Sequence, residues 1–260
     1  MIFINKPHIF SNLKLLKKYE IGKYYIFKIK IIECMYKVCV FAYYRGIINS
    51  LFDKQKDFDT IKKLKKMYEY DFVKKKWEGH YDKIKKLIKV CPYCEYGEIW
   101  EIDHFLPKSI YPEFSVFFLN LVPSCHICNS KKSNKNNICI HPYLEYIKDI
   151  DKMLWAEFKL ENESLIFYYH KQKNIPAIVE KHIDTFDILN RYKEKASVYI
   201  SDRIIYYKSF KGDLLDNIKL EYTASKCIYL KVMYRAILDD FDNFKDCLEK
   251  INYNGINDNY

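Results

Sequence analysis

Two cysteine pairs, Cys91-Pro92-Tyr93-Cys94 and Cys125-His126-Ile127-Cys128, constrain this 260-residue chain more than any other feature. Thiolates two residues apart on a tight turn can both reach one Zn²⁺ at about 2.3 Å, and two such turns complete a tetrahedron. A closed shell of Cys91, Cys94, Cys125 and Cys128 leaves no position for water, so the expected metal is a structural Zn²⁺. Binding it would supply apparent folding free energy on the order of 10–16 kcal/mol near neutral pH. Thirty residues separate the pairs, more than a simple zinc ribbon needs, so the loop between them must carry something else. A redox dithiol is the other common use of CxxC, but the thioredoxin-like strand–CxxC–helix context is missing. The remaining cysteines, Cys34, Cys39, Cys139, Cys227 and Cys247, are scattered and read as small buried apolar residues.

The loop holds Glu101-Ile102-Asp103-His104, then Pro107-Lys108-Ser109, then Asn120-Leu121, and the second pair continues as Cys128-Asn129-Ser130-Lys131-Lys132. Phosphodiester cleavage needs a deprotonated water in line with the phosphorus and positive charge where the 3′ oxygen departs. An imidazole with an ordinary pKa near 6.5 can take the water's proton. A carboxylate and an amide oxygen can hold a hard divalent ion and leave positions for water and phosphate. In its order of elements, the stretch from Cys91 to Lys135 resembles the HNH, or His-Me finger, endonuclease family in a four-cysteine zinc variant.

The resemblance implies a ββα-metal module with His104 as general base and Asp103 and Asn129 as ligands of a single catalytic cation. It also implies that Asn120 orients the His104 loop through hydrogen bonds to backbone. Lys108, Lys131, Lys132 and Lys135 become candidates for phosphate contact. Asn129 stands where many members have their final histidine, and the resulting hard-oxygen pair favours Mg²⁺ or Mn²⁺. Asp103 and His104, as neighbours on a strand, point to opposite sides, so a local bend must bring both to one site. His126 reads as a solvated loop residue, and the resemblance implies that His141-Pro142-Tyr143 packs beside the site, with no role assigned to it. Taken singly, Asn120 could be a turn residue, Asn129 a helix cap and the lysines solvent-facing. Their joint order inside the cysteine pairs carries the reading.

A formal net charge of +10 suits a polyanionic partner, because neutralising phosphates releases condensed counterions. DNA is the favoured nucleic acid. A chain rich in Lys, Ile, Asn and Tyr throughout could reach the same surplus without any such partner. Residues 54–90 carry 13 lysines against 6 acidic residues, either a solvated helix face or a phosphate-facing one. The apolar stretch Ile26–Ile32 is broken by Lys28 and Lys30, and Met1–Phe10 contains Pro7 and lacks a small-residue cleavage site. The expectation is therefore a cytoplasmic protein with no membrane partner. Family resemblance further suggests phage defence, including Septu-type pairs in which an ATPase accompanies the nuclease.

Three zones follow: a helical basic region over 1–90, the nuclease module with its zinc knuckles over 91–142, and a hairpin plus helical region over 143–260. Ile61, Leu64 and Tyr68, then Ile84, Leu87 and Ile88, recur at helical spacing, with Gly79 between two helices. Within the module, strands are expected at Glu98–Asp103 and Leu119–Pro123, and a short helix near His126–Lys132. Met153–Leu160 and Ser164–His170 alternate as strands around Glu161-Asn162-Glu163, and helix returns from Ile178. The expected fold is α+β and mainly helical, a central ββα-metal module with helical flanks and a β-hairpin. The expected function is a metal-dependent endonuclease. A catalytically inactive zinc-finger scaffold or nucleic-acid binder is the alternative.

Overall fold

The structure, a computed structural model, describes residues 34, 36–45, 67–74, 79–115, 117–133, 139–145, 147–210 and 212–251. Ile61, Leu64, Lys135 and the polar end 252–260 lie outside them. The described chain is mainly helical with two small antiparallel sheets, the α+β class. It divides into two compact units, Met1–Tyr146 and Ile147–Tyr260. The helical residues of the first zone thus share a unit with the cysteine-rich module.

In the first unit, helix α1 (residues 36–44) buries Tyr36, Cys39, Val40 and Tyr43, an i, i+3, i+4, i+7 stripe that faces the module. A π-helical segment, Met67–Lys74, and helix α2, His80–Lys85, follow. Gly79 precedes α2 with φ of 76°, a left-handed conformation that only glycine adopts at little cost. Tyr68 and Ile84 then pack with Ile102 and Leu121 into a small core beneath the first sheet.

That sheet pairs β1, Glu101–His104, with β2, Leu121–Ser124, in antiparallel register, Asp103 opposite Val122 and His104 opposite Leu121. Both strands are shorter or later than expected, for two reasons. Residues 91–98 close the first cysteine turn, with the Cys91 N–H donating to Gly97 O at 2.7 Å and Val90 bridging Glu98. Phe118–Asn120 forms a 3₁₀ turn before β2 begins. The Phe105 N–H donates to Asn120 O at 2.8 Å, so by alternation Ile102–Pro123 is a non-hydrogen-bonded pair, where proline's missing N–H costs nothing. Helix α3, His126–Lys132, completes the ββα order.

In the second unit, β3 (Leu154–Glu161) and β4 (Ser164–Lys171) form a hairpin whose turn residues Asn162 and Glu163 have φ of 46° and 61°. Two positive φ values define a type I′ turn, the geometry that matches the twist of the strands it joins. Phe158, Leu165, Phe167 and Tyr169 face inward, alternating with exposed residues as the sequence pattern requires. Helices α5 (Ile188–Ser209) and α7 (Ile228–Asp239) lie against the hairpin, α4 (Ala177–Phe186) precedes α5, α6 (Leu214–Ala224) packs on α7, and α8 (Phe241–Lys250) follows. Ile200 and Ile204 are buried on α5, whereas Val198 and Ile205 are 59% and 47% exposed, on the outer side of the same helix.

Glu163 strains this turn, since a left-handed conformation costs an L-residue about 1–2 kcal/mol that glycine avoids. Glu163→Gly should therefore raise the stability of the second unit by up to about 1 kcal/mol, read as a higher urea midpoint at unchanged slope. A lower midpoint would mean that Glu163 makes compensating contacts.

Candidate functional site

The four sulfurs of Cys91, Cys94, Cys125 and Cys128 lie within 4.8 Å of one another, all buried. Tetrahedral Zn–S bonds of about 2.3 Å put sulfurs about 3.8 Å apart. The Cys94 and Cys125 sulfurs are separated by 3.8 Å. The cluster can therefore hold a zinc ion. Hydrogen bonding among the crowded sulfurs lowers the Cys94 and Cys125 thiols and raises that of Cys128, while burial raises that of Cys91.

Local geometry supports each turn. A Cβ on Gly97 would come within 2.9 Å of the Cys125 Cβ and Sγ, so only glycine lets the two turns close on each other. Cys125 also caps α3, its sulfur accepting the Cys128 N–H at 3.4 Å. Outside the cluster, Cys39, Cys139 and Cys247 are buried as expected, but Cys34 is exposed and Cys227 only half-buried.

The cysteine turn reaches the end of β1 directly. Tyr93, between the first two cysteines, donates its hydroxyl to Asp103 Oδ2 at 2.7 Å. Lys132, on α3 beyond the last cysteine, approaches Asp103 Oδ2 at 3.1 Å and donates to His104 O at 2.8 Å. Lys132 is 1% exposed. This corrects its expected role as a phosphate contact: the ammonium is spent on a buried carboxylate and a main-chain carbonyl. Lys131 is exposed, and Lys108 is half-buried over the Tyr68 ring at 4.6 Å and paired with Glu69 at 3.3 Å.

His104 is nearly buried, in a T-shaped contact with the Tyr68 ring whose centroid lies 4.4 Å away. Its Nε2 lies 2.9 Å from Ser115 O. A carbonyl only accepts, so the neutral ring carries its proton on Nε2 and leaves Nδ1 as the basic lone pair. No described residue hydrogen-bonds that Nδ1. Burial lowers the imidazole from its ordinary value to about 4, with the Ser115 carbonyl and Asp103 working in the opposite direction, so the ring is neutral at cellular pH.

Asn120 is fully buried and fully bonded. Its Oδ1 accepts from the Leu106 N–H at 2.7 Å and lies 3.0 Å from the Tyr36 hydroxyl, while Nδ2 donates to Leu106 O and Phe114 O, each at 3.1 Å. It ties the segment after His104 to the segment leading to Ser115, the two that fix the imidazole. His141 stands behind this clamp. The Tyr143 N–H donates to its Nδ1 at 3.2 Å, so Nε2 carries the proton and gives it to Tyr36 at 3.0 Å. His141 is thus more than a neighbour of the site: through Tyr36 it is hydrogen-bonded to Asn120.

Asn129 meets Glu101 rather than Asp103: its Nδ2 donates to Glu101 Oε2. Glu101 Oε1 lies 2.6 Å from His126 Nδ1, and His126 is otherwise exposed. The structure thus gathers Asp103, His104 and Asn120 around the end of β1, and sets Asn129 beside Glu101 at its start. Glu101, Tyr93 and Tyr68 were not singled out from sequence. Only the position of Glu101, two residues before Asp103 on one strand face, could have marked it.

No family model and no solved structure matches this chain. It is 34% identical over 136 residues to protein ea31 of Escherichia phage lambda, covering 46% of this chain and 45% of that protein. It is 42% identical over 52 residues to Septu protein PtuB of Bacillus thuringiensis, covering 18% of this chain and 20% of that one. The chain therefore spans less than half the length of either relative. Among the described residues, no helix is long and apolar enough to cross a membrane.

Stripping metal with a chelator should cost the ββα module its amide protection, because the cysteine turns anchor both β1 and α3. Hydrogen exchange on β1 and α3 checks this; full protection in zinc-free protein would refute it. Gly97→Ala should weaken zinc binding through the 2.9 Å clash.

Acid should also destabilise the unit. Burial holds the His141 imidazole down at about 3, whereas an unfolded histidine titrates near 6.5. Between these values the unfolded chain binds a proton that the native one refuses, so stability is full above about 6.5 and falls as pH drops toward 3. Urea midpoints from pH 7 to pH 5 should decline, and His141→Asn should flatten that slope at equal zinc content.

Proposed function

We propose that this chain is a metal-dependent endonuclease acting on nucleic acid, with DNA favoured, and that it serves in a Septu-type phage-defence setting alongside a partner ATPase. The observation that carries the reading is His104: a buried neutral imidazole whose Nε2–H is spent on Ser115 O, leaving Nδ1 as the base. Such a group is unprotonated at neutral pH, with a free lone pair to receive a proton from water. Similarity to Septu protein PtuB supports the setting.

The oxygens near β1 suit a hard cation. Asp103 offers a carboxylate, and Asn129 Oδ1 accepts no hydrogen bond from a described residue. Asp103 and Asn129 would hold Mg²⁺ or Mn²⁺, which when bound supplies positive charge to the phosphate and the departing 3′ oxygen. His104 removes the water's proton at Nδ1. Asn120 and Ser115 keep its ring in register, and Lys132 fixes the main chain at the His104 carbonyl. Lys108 and Lys131, on the accessible side, would meet phosphates. Cys91, Cys94, Cys125 and Cys128 would hold a structural Zn²⁺.

The buried Lys132–Asp103 pair favours a second reading, a catalytically inactive zinc-stapled scaffold, because the ammonium already satisfies the carboxylate. The two readings separate on cleavage. Incubated with plasmid DNA and with RNA, the protein should cut with Mg²⁺ and stop with EDTA. His104→Ala should lose about 10²–10⁴-fold in rate at unchanged zinc content. Binding without cleavage, indifferent to Mg²⁺ and to His104→Ala, would establish the scaffold instead.

A further inference from the structure

We propose that Glu101 is a positioning residue that sets which atom of the Asn129 side chain is offered to a divalent cation; this rests on the reading of Asn129 as a ligand. An asparagine amide has two nearly isosteric ends, and only the oxygen can bind a cation. An unrestrained amide can turn either end toward the site. A carboxylate accepts and does not donate, so Glu101 Oε2 can be satisfied only by Asn129 Nδ2, the contact present in the structure. The amide is planar, and pinning Nδ2 turns Oδ1 away from Glu101.

Glu101 is itself held in place. Its Oε1 lies 2.6 Å from His126 Nδ1, and a carboxylate only accepts, so the ring donates. His126 and Asn129 are three residues apart on α3 and share a face, so one carboxylate spans both through its two oxygens. The main chain adds a further restraint, because the Asn129 N–H donates to Cys125 O at 3.0 Å at the start of the cysteine-capped helix. Asp103, on the same strand face, is engaged by Tyr93 and Lys132 instead. A carboxylate at position 103 placed alone against the amide would draw Nδ2 inward, the wrong end for a metal. Glu101, by taking Nδ2 itself, prevents this.

The test is Mn²⁺ binding to the full-length, zinc-loaded protein, followed by the loss of the free-ion electron paramagnetic resonance signal. Glu101→Ala should weaken Mn²⁺ binding about 10- to 100-fold, the usual effect of removing a partner that orients a ligand. Asn129→Asp has oxygen at both ends and nothing to orient, so in that background Glu101→Ala should cause no weakening. Zinc content and melting temperature report folding; if Glu101→Ala is not folded, Glu101→Leu in the same two backgrounds gives the answer. Equal weakening in both backgrounds would mark a general structural role and overturn the proposal. So would wild-type affinity in Glu101→Ala. Failure of the wild-type chain to bind Mn²⁺ would remove the underlying ligand reading, and with it this role.

Discussion

The ββα part of the first unit hangs on four sulfurs that come from two turns thirty residues apart in sequence. Closing a loop of that length costs entropy that only a strong point contact can offset, and a four-thiolate metal contact is among the strongest available. The two turns are not inert staples. One carries Tyr93, which grips Asp103; the other starts α3, which delivers Asn129 and Lys132 to opposite ends of β1. A two-stranded sheet of four residues per strand could not fix those side chains alone. The cysteine cluster and the candidate site are therefore one mechanical object.

The second constraint is electrostatic. Asp103, His104, Lys132 and His141 are all buried within one small volume. Desolvation keeps both imidazoles neutral, while the Asp103 carboxylate pairs with the Lys132 ammonium. Removing either partner alone would strand a charge in low dielectric, which typically costs about 3–5 kcal/mol. That pairing also orients the backbone, because the same ammonium reaches the His104 carbonyl. The general-base candidate is thus restrained through its ring at Ser115, its carbonyl at Lys132 and the following segment at Asn120.

How much of this was legible in the sequence depended on whether a residue's partner was local or distant. The cysteine pairs were legible because metal geometry dictates their spacing. The hairpin was legible because period-two alternation and a short turn are local, although the need for positive φ at Glu163 was not visible in its residue type. Asn120 was picked out by motif order, and its four bonds suit a clamp on backbone. Lys132 was misread because a lysine beside Lys131 in a basic run looks solvated; its burial is decided by Asp103, twenty-nine residues earlier. The strand limits shifted for a similar reason, since closing the first cysteine turn consumes residues 91–98 that alternation alone assigns partly to a strand. Tyr68 was seen as one more helical apolar residue, and only the fold places its ring against His104.

These facts bear on why a lysine should sit where a nuclease needs a metal-binding carboxylate. An ammonium 3.1 Å from Asp103 supplies one positive charge at a position from which it cannot leave without exposing the carboxylate. A divalent ion approaching from the Glu101–Asn129 side would meet a carboxylate whose charge is already half answered, so its binding would depend more on neutral oxygen donors and on their orientation. In such a site the orientation of one amide matters more than in a site of several free carboxylates. The buried ion pair and the Glu101–Asn129 contact are then two parts of one arrangement: the first holds β1 in shape, and the second decides which atom α3 presents.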